Sequence, residues 1–200
     1  MARYSPSVQN LISRLASLPG IGGKSAQRIA FHILSLDDKE VQALTDSITE
    51  AHKLTVRCSC CQNFTDSDPC PICSDTKRDT SVVCVVESPR DVSTFERMRE
   101  YNGLYHVLHG IYSPVSGKNL DDITLPQLIS RLQVHPEIKE VIVATNQSTE
   151  GNATALYISR LLAPSGIKVT RLASGLPMGS DIEYTDDLTL ANALKGRVQI

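Results

Sequence analysis

The sequence predicts an α/β protein of several parts, and observations on three segments support that prediction. Apolar residues recur at helical spacing from Val8 to Ala51. A cysteine-rich segment follows, from Cys58 to Cys73. Beyond it, short apolar runs typical of buried strands alternate with helical patterns, and this alternation indicates a parallel sheet flanked by helices.

Length and composition exclude several classes of protein. A chain of 200 residues with 41% hydrophobic and 21% charged residues suits one large or two small folded domains. It contains no apolar run of about eighteen residues, which a membrane span would need. The N-terminal segment "MARYSPSVQN" lacks the apolar region of a secretory signal. We therefore expect a cytoplasmic protein with no membrane partner.

The N-terminal part predicts two helices joined by a tight turn, and then a third helix. The turn is "LPGIGG", which is too short for any other element, and the acidic "LDDKE" suits the start of the third helix. The apolar residues that set the helical spacing are Val8, Leu11, Ile12 and Leu15, then Ile29, Ala30, Ile33 and Leu34, then Val41, Leu44, Ile48 and Ala51.

The glycine-rich turn is a candidate phosphate site. Gly20 and Gly22 permit tight backbone geometry, and the amides of the next helix's N-terminus favour an anion. The "GGKS" segment resembles a nucleotide P-loop, but that pattern requires a glycine where Leu18 stands and a strand before the turn. The nucleotide interpretation fails on both counts. The interpretation that remains is a phosphate of a nucleic acid backbone.

Charge is unevenly distributed along the chain. The net charge is −2, yet the only charged residues among positions 1–36 are basic: Arg3, Arg14, Lys24 and Arg28. Lys24 and Arg28 are four residues apart and so lie on one helix face. A basic end on a mildly acidic protein fits polyanion binding at one place, although an ordinary solvated helix face also explains it.

The cysteine spacing predicts a zinc site. Cys58-x-x-Cys61 and Cys70-x-x-Cys73 form two pairs that can complete a tetrahedral four-cysteine site. Two disulfides are the alternative, which a reducing cytosol disfavours. Four thiolates leave no open coordination position, so the expected Zn²⁺ is structural, with one ion per chain. Cys60 breaks the spacing and is left out.

The second half of the chain predicts alternating strands and helices. The first strand is "SVVCVVE", within which Cys84 is expected to be a small buried hydrophobe. The predicted elements that follow are a helix near 91–101, the strand "YHVLHG", a helix through Leu125 to Leu132, the strand "EVIVAT", a helix near 152–162 and the strand "KVTRLA". The remaining tail is polar and offers one short helix or strand.

Two carboxylates lie near predicted strand ends, where functional groups of parallel sheets are found. Glu87 ends the first strand, and Glu150 is the only acid of the "NQSTEGNA" loop after "EVIVAT". A magnesium-dependent site would need more carboxylates than these. Hydrogen-bonding or surface roles for Glu87 and Glu150 are the favoured alternative.

The order of these segments resembles the RecR family of bacterial recombination mediators. The matching motifs are "LPGIG", the paired cysteines, "VVESPRDV", "ATNQSTEG" and the tail "GLPMGSDIEYTDDLTL". The resemblance implies a multi-part α/β protein. Its parts would be a helix-hairpin-helix DNA-binding region (1–57), a four-cysteine (C4-type) zinc finger (58–80), a Toprim-type parallel α/β domain (81–176) and a C-terminal oligomerisation tail (177–200).

The same resemblance implies a non-enzymatic DNA-binding protein of recombinational DNA repair. It would form a homotetrameric ring-like clamp, or dimers of it, work with RecO and also RecF, and help load recombinase at single-strand gaps. Lys24 and Arg28 match basic residues of the family's hairpin motif. The expected DNA-binding residues are therefore Gly20, Gly22, Lys24 and Arg28, with little sequence preference.

In Toprim enzymes a glutamate and an Asp-x-Asp pair hold magnesium. Glu87 matches that glutamate, but Asn146 and Ser148 stand at the aspartate positions. This departure, typical of RecR-like proteins, argues against magnesium and catalysis and makes Glu87, Asn146 and Glu150 a candidate RecO-docking surface. The alternatives are a Toprim-type magnesium-dependent nuclease or primase-like enzyme, and a zinc-stabilised interaction module that does not touch DNA.

Overall fold

The computed structural model describes residues 4–113, 117 and 119–198, and it divides into a first unit, residues 1–54, and a second unit, residues 55–200. The helices are α1 (Pro6–Ala16), α2 (Gly23–Ser35), α3 (Asp38–Leu54), α4 (Pro71–Ser74), α5 (Pro89–Met98), α6 (Leu125–Val134), α7 (Thr149–Leu162) and α8 (Asp187–Lys195). The strands are β1 (Val56–Arg57), β2 (Phe64–Thr65), β3 (Asp79–Val86), β4 (Gly103–Val107), β5 (Glu140–Val143) and β6 (Lys168–Arg171). None of the helices in the described part of the chain has the length and apolar character that a membrane crossing requires.

The first unit contains the three helices that the apolar spacing predicts. Ala26 and Ala30 are fully buried on α2, and their small side chains let the neighbouring helix approach closely. Tyr4 stacks edge-on against Phe31, with ring centroids 5.3 Å apart. Close packing of small residues thus fixes the pair of helices around the glycine-rich turn.

The acidic segment "LDDKE" starts α3 as predicted. The Asp37 carboxylate accepts a hydrogen bond from the Glu40 amide (2.8 Å), and the Glu40 carboxylate accepts one from the Asp37 amide (3.1 Å). This reciprocal pair satisfies amides that an uncapped helix end would leave free.

The second unit contains the predicted parallel sheet, in the order β4-β3-β5-β6. The central strand β3 pairs on both sides, with Cys84 opposite Tyr105 of β4 and opposite Ile142 of β5. Alternate β3 residues enter two apolar clusters, Val83 and Val85 in one, Cys84 and Val86 in the other. Helices cover both faces, which explains the continuous apolar run in the sequence. Cys84 is buried in the core as expected.

Several element ends differ from the predicted ones for local reasons. The helix after β3 ends at Met98, before the predicted Tyr101, because Arg99 has a left-handed backbone (φ 59°). The β4 strand ends at Val107, because His109 also turns left-handed (φ 58°). The α7 helix begins at Thr149, earlier than predicted, because the Ser148 hydroxyl caps it.

The free edge of β4 is covered by the cysteine-rich segment. The Val107 amide donates to the Cys61 carbonyl (2.8 Å), and the Arg131 guanidinium donates to the Tyr105 carbonyl (2.6 Å). Arg78 forms an ion pair with Glu96 and donates to the Gly103 carbonyl (3.1 Å). These bonds satisfy backbone groups that an open sheet edge would expose.

His106 of β4 is fully buried. Its Nε2 lies 2.9 Å from the Thr124 carbonyl, to which it donates, while Nδ1 has no hydrogen-bond partner among the described residues. Burial lowers the pKa of His106 to about 4, so the folded protein holds a neutral imidazole.

The buried imidazole predicts acid sensitivity. Its contribution to the free energy of unfolding is complete above pH ~6.5, the value for an unfolded histidine, and is lost as the pH falls toward 4. The total loss is about 3 kcal/mol, of which about 2 kcal/mol falls between pH 7.5 and 5. Urea denaturation across this range measures it.

The control is His106→Gln, which keeps a donor for the Thr124 carbonyl but does not titrate. Acid effects that both proteins share, such as metal loss, cancel in the difference between their unfolding free energies. The unfolding free energy of the wild type minus that of the variant should decrease by about 2 kcal/mol from pH 7.5 to 5. A difference that stays constant from pH 7.5 to 5 would contradict the prediction.

Candidate functional site

The two cysteine pairs meet at one point. The sulfur atoms of Cys58, Cys61, Cys70 and Cys73 all lie within 4.8 Å of one another. Within the described ranges this is the sole group of three or more potential metal ligands from histidine, cysteine or acidic side chains. Cys60 is outside it, as the spacing predicts. All six cysteines are free thiols, and the Cys61 and Cys70 sulfurs are 3.6 Å apart, beyond the length of a disulfide.

Backbone amides near this cluster donate hydrogen bonds to its sulfur atoms. The Cys70 amide donates to the Cys58 sulfur (3.3 Å), and the Cys73 amide donates to the Cys70 sulfur (3.4 Å) at the start of α4. Gln62 adopts a left-handed backbone (φ 65°), which tightens the turn after Cys61. Amide donors aimed at sulfur stabilise negative charge there.

The thiols of the cluster cannot all ionise by themselves. A hydrogen bond with the Cys73 thiol lowers the pKa of Cys61 to about 5, and burial raises the pKa of Cys70 to about 11. Like charges this close oppose one another unless a cation neutralises them. Four converging thiolates suit one tetrahedral Zn²⁺ and leave no position for a substrate, so the ion would have a structural role.

The glycine-rich turn presents an open helix start. Gly20 has φ +80°, a conformation that favours glycine, whereas Gly22 is extended (φ −79°) and precedes α2 as its N-cap. Glycine offers no side-chain acceptor, so the first amides of α2 have no side-chain cap. Lys24 and Arg28 are exposed on this helix and form no ion pair with any described residue.

At the carboxyl end of the sheet, the structure brings Glu87 and Asn146 together. One Glu87 carboxylate oxygen accepts from the Asn146 amide (2.9 Å) and the other from the Asn146 side chain (2.7 Å). Both oxygens are therefore occupied by neutral donors. Glu150 is half-buried at the start of α7, and among the residues the structure describes no hydrogen bond links its carboxylate to Glu87 or Asn146.

The loop that carries Asn146 is held by two further contacts. The Arg171 guanidinium donates to the Asn146 carbonyl (3.0 Å) from the end of β6. Gly151 packs so closely that an added Cβ would lie 2.1 Å from the same carbonyl oxygen. The sequence interpretation missed Arg171. The position of Arg171 at a predicted strand end, across from "NQSTEG", was the available signal.

The cysteine cluster predicts that replacing a cysteine inside it lowers zinc binding, whereas replacing the neighbouring Cys60 does not. Replacing Cys70 with serine should lower bound zinc from one ion per chain to near zero, because a three-thiolate site loses affinity. It should also destabilise the β4 edge that the Cys61 carbonyl supports. Zinc content by elemental analysis, with thermal denaturation beside it, measures both effects.

Cys60→Ser is the matched control, because it removes an adjacent thiol that is not in the cluster. It should keep one zinc ion per chain. Equal zinc loss in both variants would overturn the ligand assignment.

Comparison with known proteins agrees with this geometry. Family models match in order: the RecR helix-hairpin-helix over residues 8–52, the RecR four-cysteine zinc finger domain over 55–75, the Toprim domain over 81–173 and the RecR C-terminal region over 175–198. A curated relative, the "Recombination protein RecR" of Heliobacterium modesticaldum, is 53% identical over 200 residues, covering 100% of both chains. The four-cysteine cluster fits the zinc of this finger family. The chain therefore belongs to the RecR family of recombination proteins.

Proposed function

We propose that this protein is a non-enzymatic DNA-binding mediator of recombinational repair that works on the nucleoid in the cytoplasm. The observation that carries the proposal is the uncapped start of α2 beside the exposed Lys24 and Arg28. Free amides at a helix N-terminus and adjacent cations form a phosphate site. The nearest acids in sequence begin at Asp37, beyond the end of α2.

Contacts of this kind do not distinguish bases. Phosphates are the same in every sequence, so binding would show little sequence preference and a strong dependence on salt. We assign DNA binding to residues 1–57, and the helix-hairpin-helix match over residues 8–52 supports this assignment. A mediator that must act at any gap needs this lack of preference.

The double variant Lys24→Ala/Arg28→Ala should bind a single-stranded oligonucleotide at least ~10-fold more weakly at low salt. The slope of log affinity against log salt should become shallower by about 1.4, since about 0.7 counterion is released from a single strand per phosphate neutralised. Fluorescence anisotropy at several salt concentrations measures both quantities.

The control removes two exposed lysines from another helix of the same unit, Lys39→Ala/Lys53→Ala on α3. It changes the net charge equally and should affect binding much less. Equal weakening in both double variants would reject the hairpin as the DNA site. A wild-type protein that binds no DNA even at low salt would favour the alternative, a zinc-stabilised interaction module.

The Glu87–Asn146 pair supports the proposal that the end of the sheet is a docking surface for RecO. Asn146 donates to Glu87, and the Arg171 guanidinium donates to two carbonyls of the loop, so hydrogen bonds that need no metal hold the loop in place. A pre-ordered polar loop loses little conformational entropy when a partner binds. RecF would be a further partner of the assembly.

Glu87→Gln should weaken RecO binding several-fold and leave DNA binding by the hairpin unchanged. Glutamine places an N–H₂ donor against one of the two Asn146 donors, which loosens the loop. Surface plasmon resonance with immobilised RecO measures the change, and the exposed Glu100→Gln is the control. Unchanged RecO affinity would contradict the docking role.

The same variant tests the alternative of a magnesium-dependent nuclease or primase-like enzyme. Purified protein with Mg²⁺ or Mn²⁺ and labelled DNA should show no cleavage or primer synthesis. Activity that is present in the wild type and abolished by Glu87→Gln would establish the enzyme instead.

A homo-oligomeric ring is supported by apolar side chains near the C-terminus. Met178, Tyr184, Leu188 and Leu194 are largely exposed on the single chain. Apolar groups clustered in one segment mark interaction sites, and a second copy of the chain would cover them. Residues 177–200 would then be the oligomerisation segment. A monomer in light scattering at working concentrations would contradict the ring-like clamp.

A further inference from the structure

The second unit contains a buried positive charge with no acidic group of the described residues at ion-pair distance, on which the Glu137 carboxylate acts only from farther away. Arg131, in the last turn of α6, is only 8% exposed. Its Nη1 donates to the Tyr105 carbonyl (2.6 Å). It takes part in none of the ion pairs formed by the described residues.

This isolation is unusual, because arginines are almost never buried without a counter-charge. The Tyr105 carbonyl and the C-terminal end of α6 supply partial negative charge only. A guanidinium has five N–H donors, and a single carbonyl satisfies at most part of them. An anion from outside the chain would complete the site.

Arg131 lines a cavity that could hold such an anion. The cavity has a volume of about 390 Å³ and lies between the first cysteine pair and α6. Its polar lining consists of hydroxyl, thiol, amide, imidazole and guanidinium groups, with no carboxylate: Ser59, Cys60, Gln127, Ser130, Arg131 and His135.

Some of these groups are already engaged and others are available. The Ser130 hydroxyl donates to the Pro126 carbonyl (3.1 Å), and His135 is paired with Glu137 (2.8 Å). The Ser59 hydroxyl interacts with the Asp68 carboxylate, which also accepts from the Ser59 amide (2.7 Å). The Gln127 amide has no hydrogen bond to any described residue. The donors available to a ligand are therefore Arg131 and Gln127.

We propose that this cavity binds a phosphate-type oxyanion, with Arg131 as its counter-charge and Gln127 as an additional donor. A planar guanidinium matches the oxygen spacing of phosphate and pairs with it through two parallel hydrogen bonds. The phosphate group comes either from free inorganic phosphate or from a DNA backbone. The site is built from the second unit alone and does not depend on the hairpin.

The most direct test introduces a carboxylate into the cavity to take the place of the proposed anion. Gln127 precedes Arg131 by four residues on α6, so Gln127→Glu places a carboxylate in ion-pair reach of the guanidinium. This variant keeps Arg131 and its bond to Tyr105, and it should fold normally. Arg131→Gln is the second variant. Gln133→Glu adds the same charge to the same helix but lines a different groove, so it is the matched control.

Sodium phosphate is titrated into each protein, with sodium chloride at equal ionic strength as reference, by calorimetry and thermal denaturation. Phosphate should bind the wild type and Gln133→Glu and raise their melting temperatures beyond the chloride effect. Gln127→Glu and Arg131→Gln should bind phosphate at least ~10-fold more weakly. The proposal is overturned if phosphate acts like chloride on the wild type, or if Gln127→Glu binds it as the wild type does.

A second experiment distinguishes free phosphate from the DNA backbone as the source of the bound phosphate group. Gln127→Glu is combined with Lys24→Ala/Arg28→Ala, and binding of an oligothymidylate is compared with the double variant alone. A further loss of affinity identifies the DNA backbone as the source. Loss of phosphate binding with unchanged DNA affinity identifies free phosphate, and the site then stands whether or not the hairpin binds DNA.

Discussion

The hydrogen bond from the Val107 amide to the Cys61 carbonyl joins the metal cluster to the sheet, and much of the second unit depends on it. β4 is an edge strand, and its outward backbone groups need partners. The cysteine-rich segment supplies one partner only when its turn is held in place. Four thiols within 4.8 Å hold that turn only when a cation neutralises them. Zinc therefore supports the edge of the sheet as well as its own small segment.

Polar groups at two candidate sites, one in each unit, differ in whether they already have hydrogen-bond partners. In the first unit, the start of α2 has neither a side-chain cap nor an ion pair among the described residues, which leaves it available to a polyanion. At the carboxyl end of the sheet, Asn146 occupies both oxygens of Glu87. A carboxylate that is already satisfied by neutral donors has little to gain from a hard cation. The same chain thus keeps one site open for ligand and has closed another by hydrogen bonding.

Local patterns predicted the elements better than their ends. Apolar periodicity is a property of neighbouring residues, so the helices of the first unit and the strands of the sheet were visible in it. The ends depend on the backbone conformation of single residues, such as the left-handed Arg99 after α5. The residue type does not predict this conformation. The short strands β1 and β2 lacked any pattern, because two-residue strands are too short to show alternation.

The sequence by itself determined the zinc ligands, the position of the glycine-rich turn and the alternation that makes the sheet parallel, because each depends on residues close together in the chain. The tertiary structure alone decided which groups meet across long separations. Glu87 and Asn146 are 59 residues apart, and Arg131 reaches Tyr105 over 26. Whether a carboxylate is satisfied or a guanidinium is buried without an ion pair follows from the packing of distant segments, which no local spacing encodes.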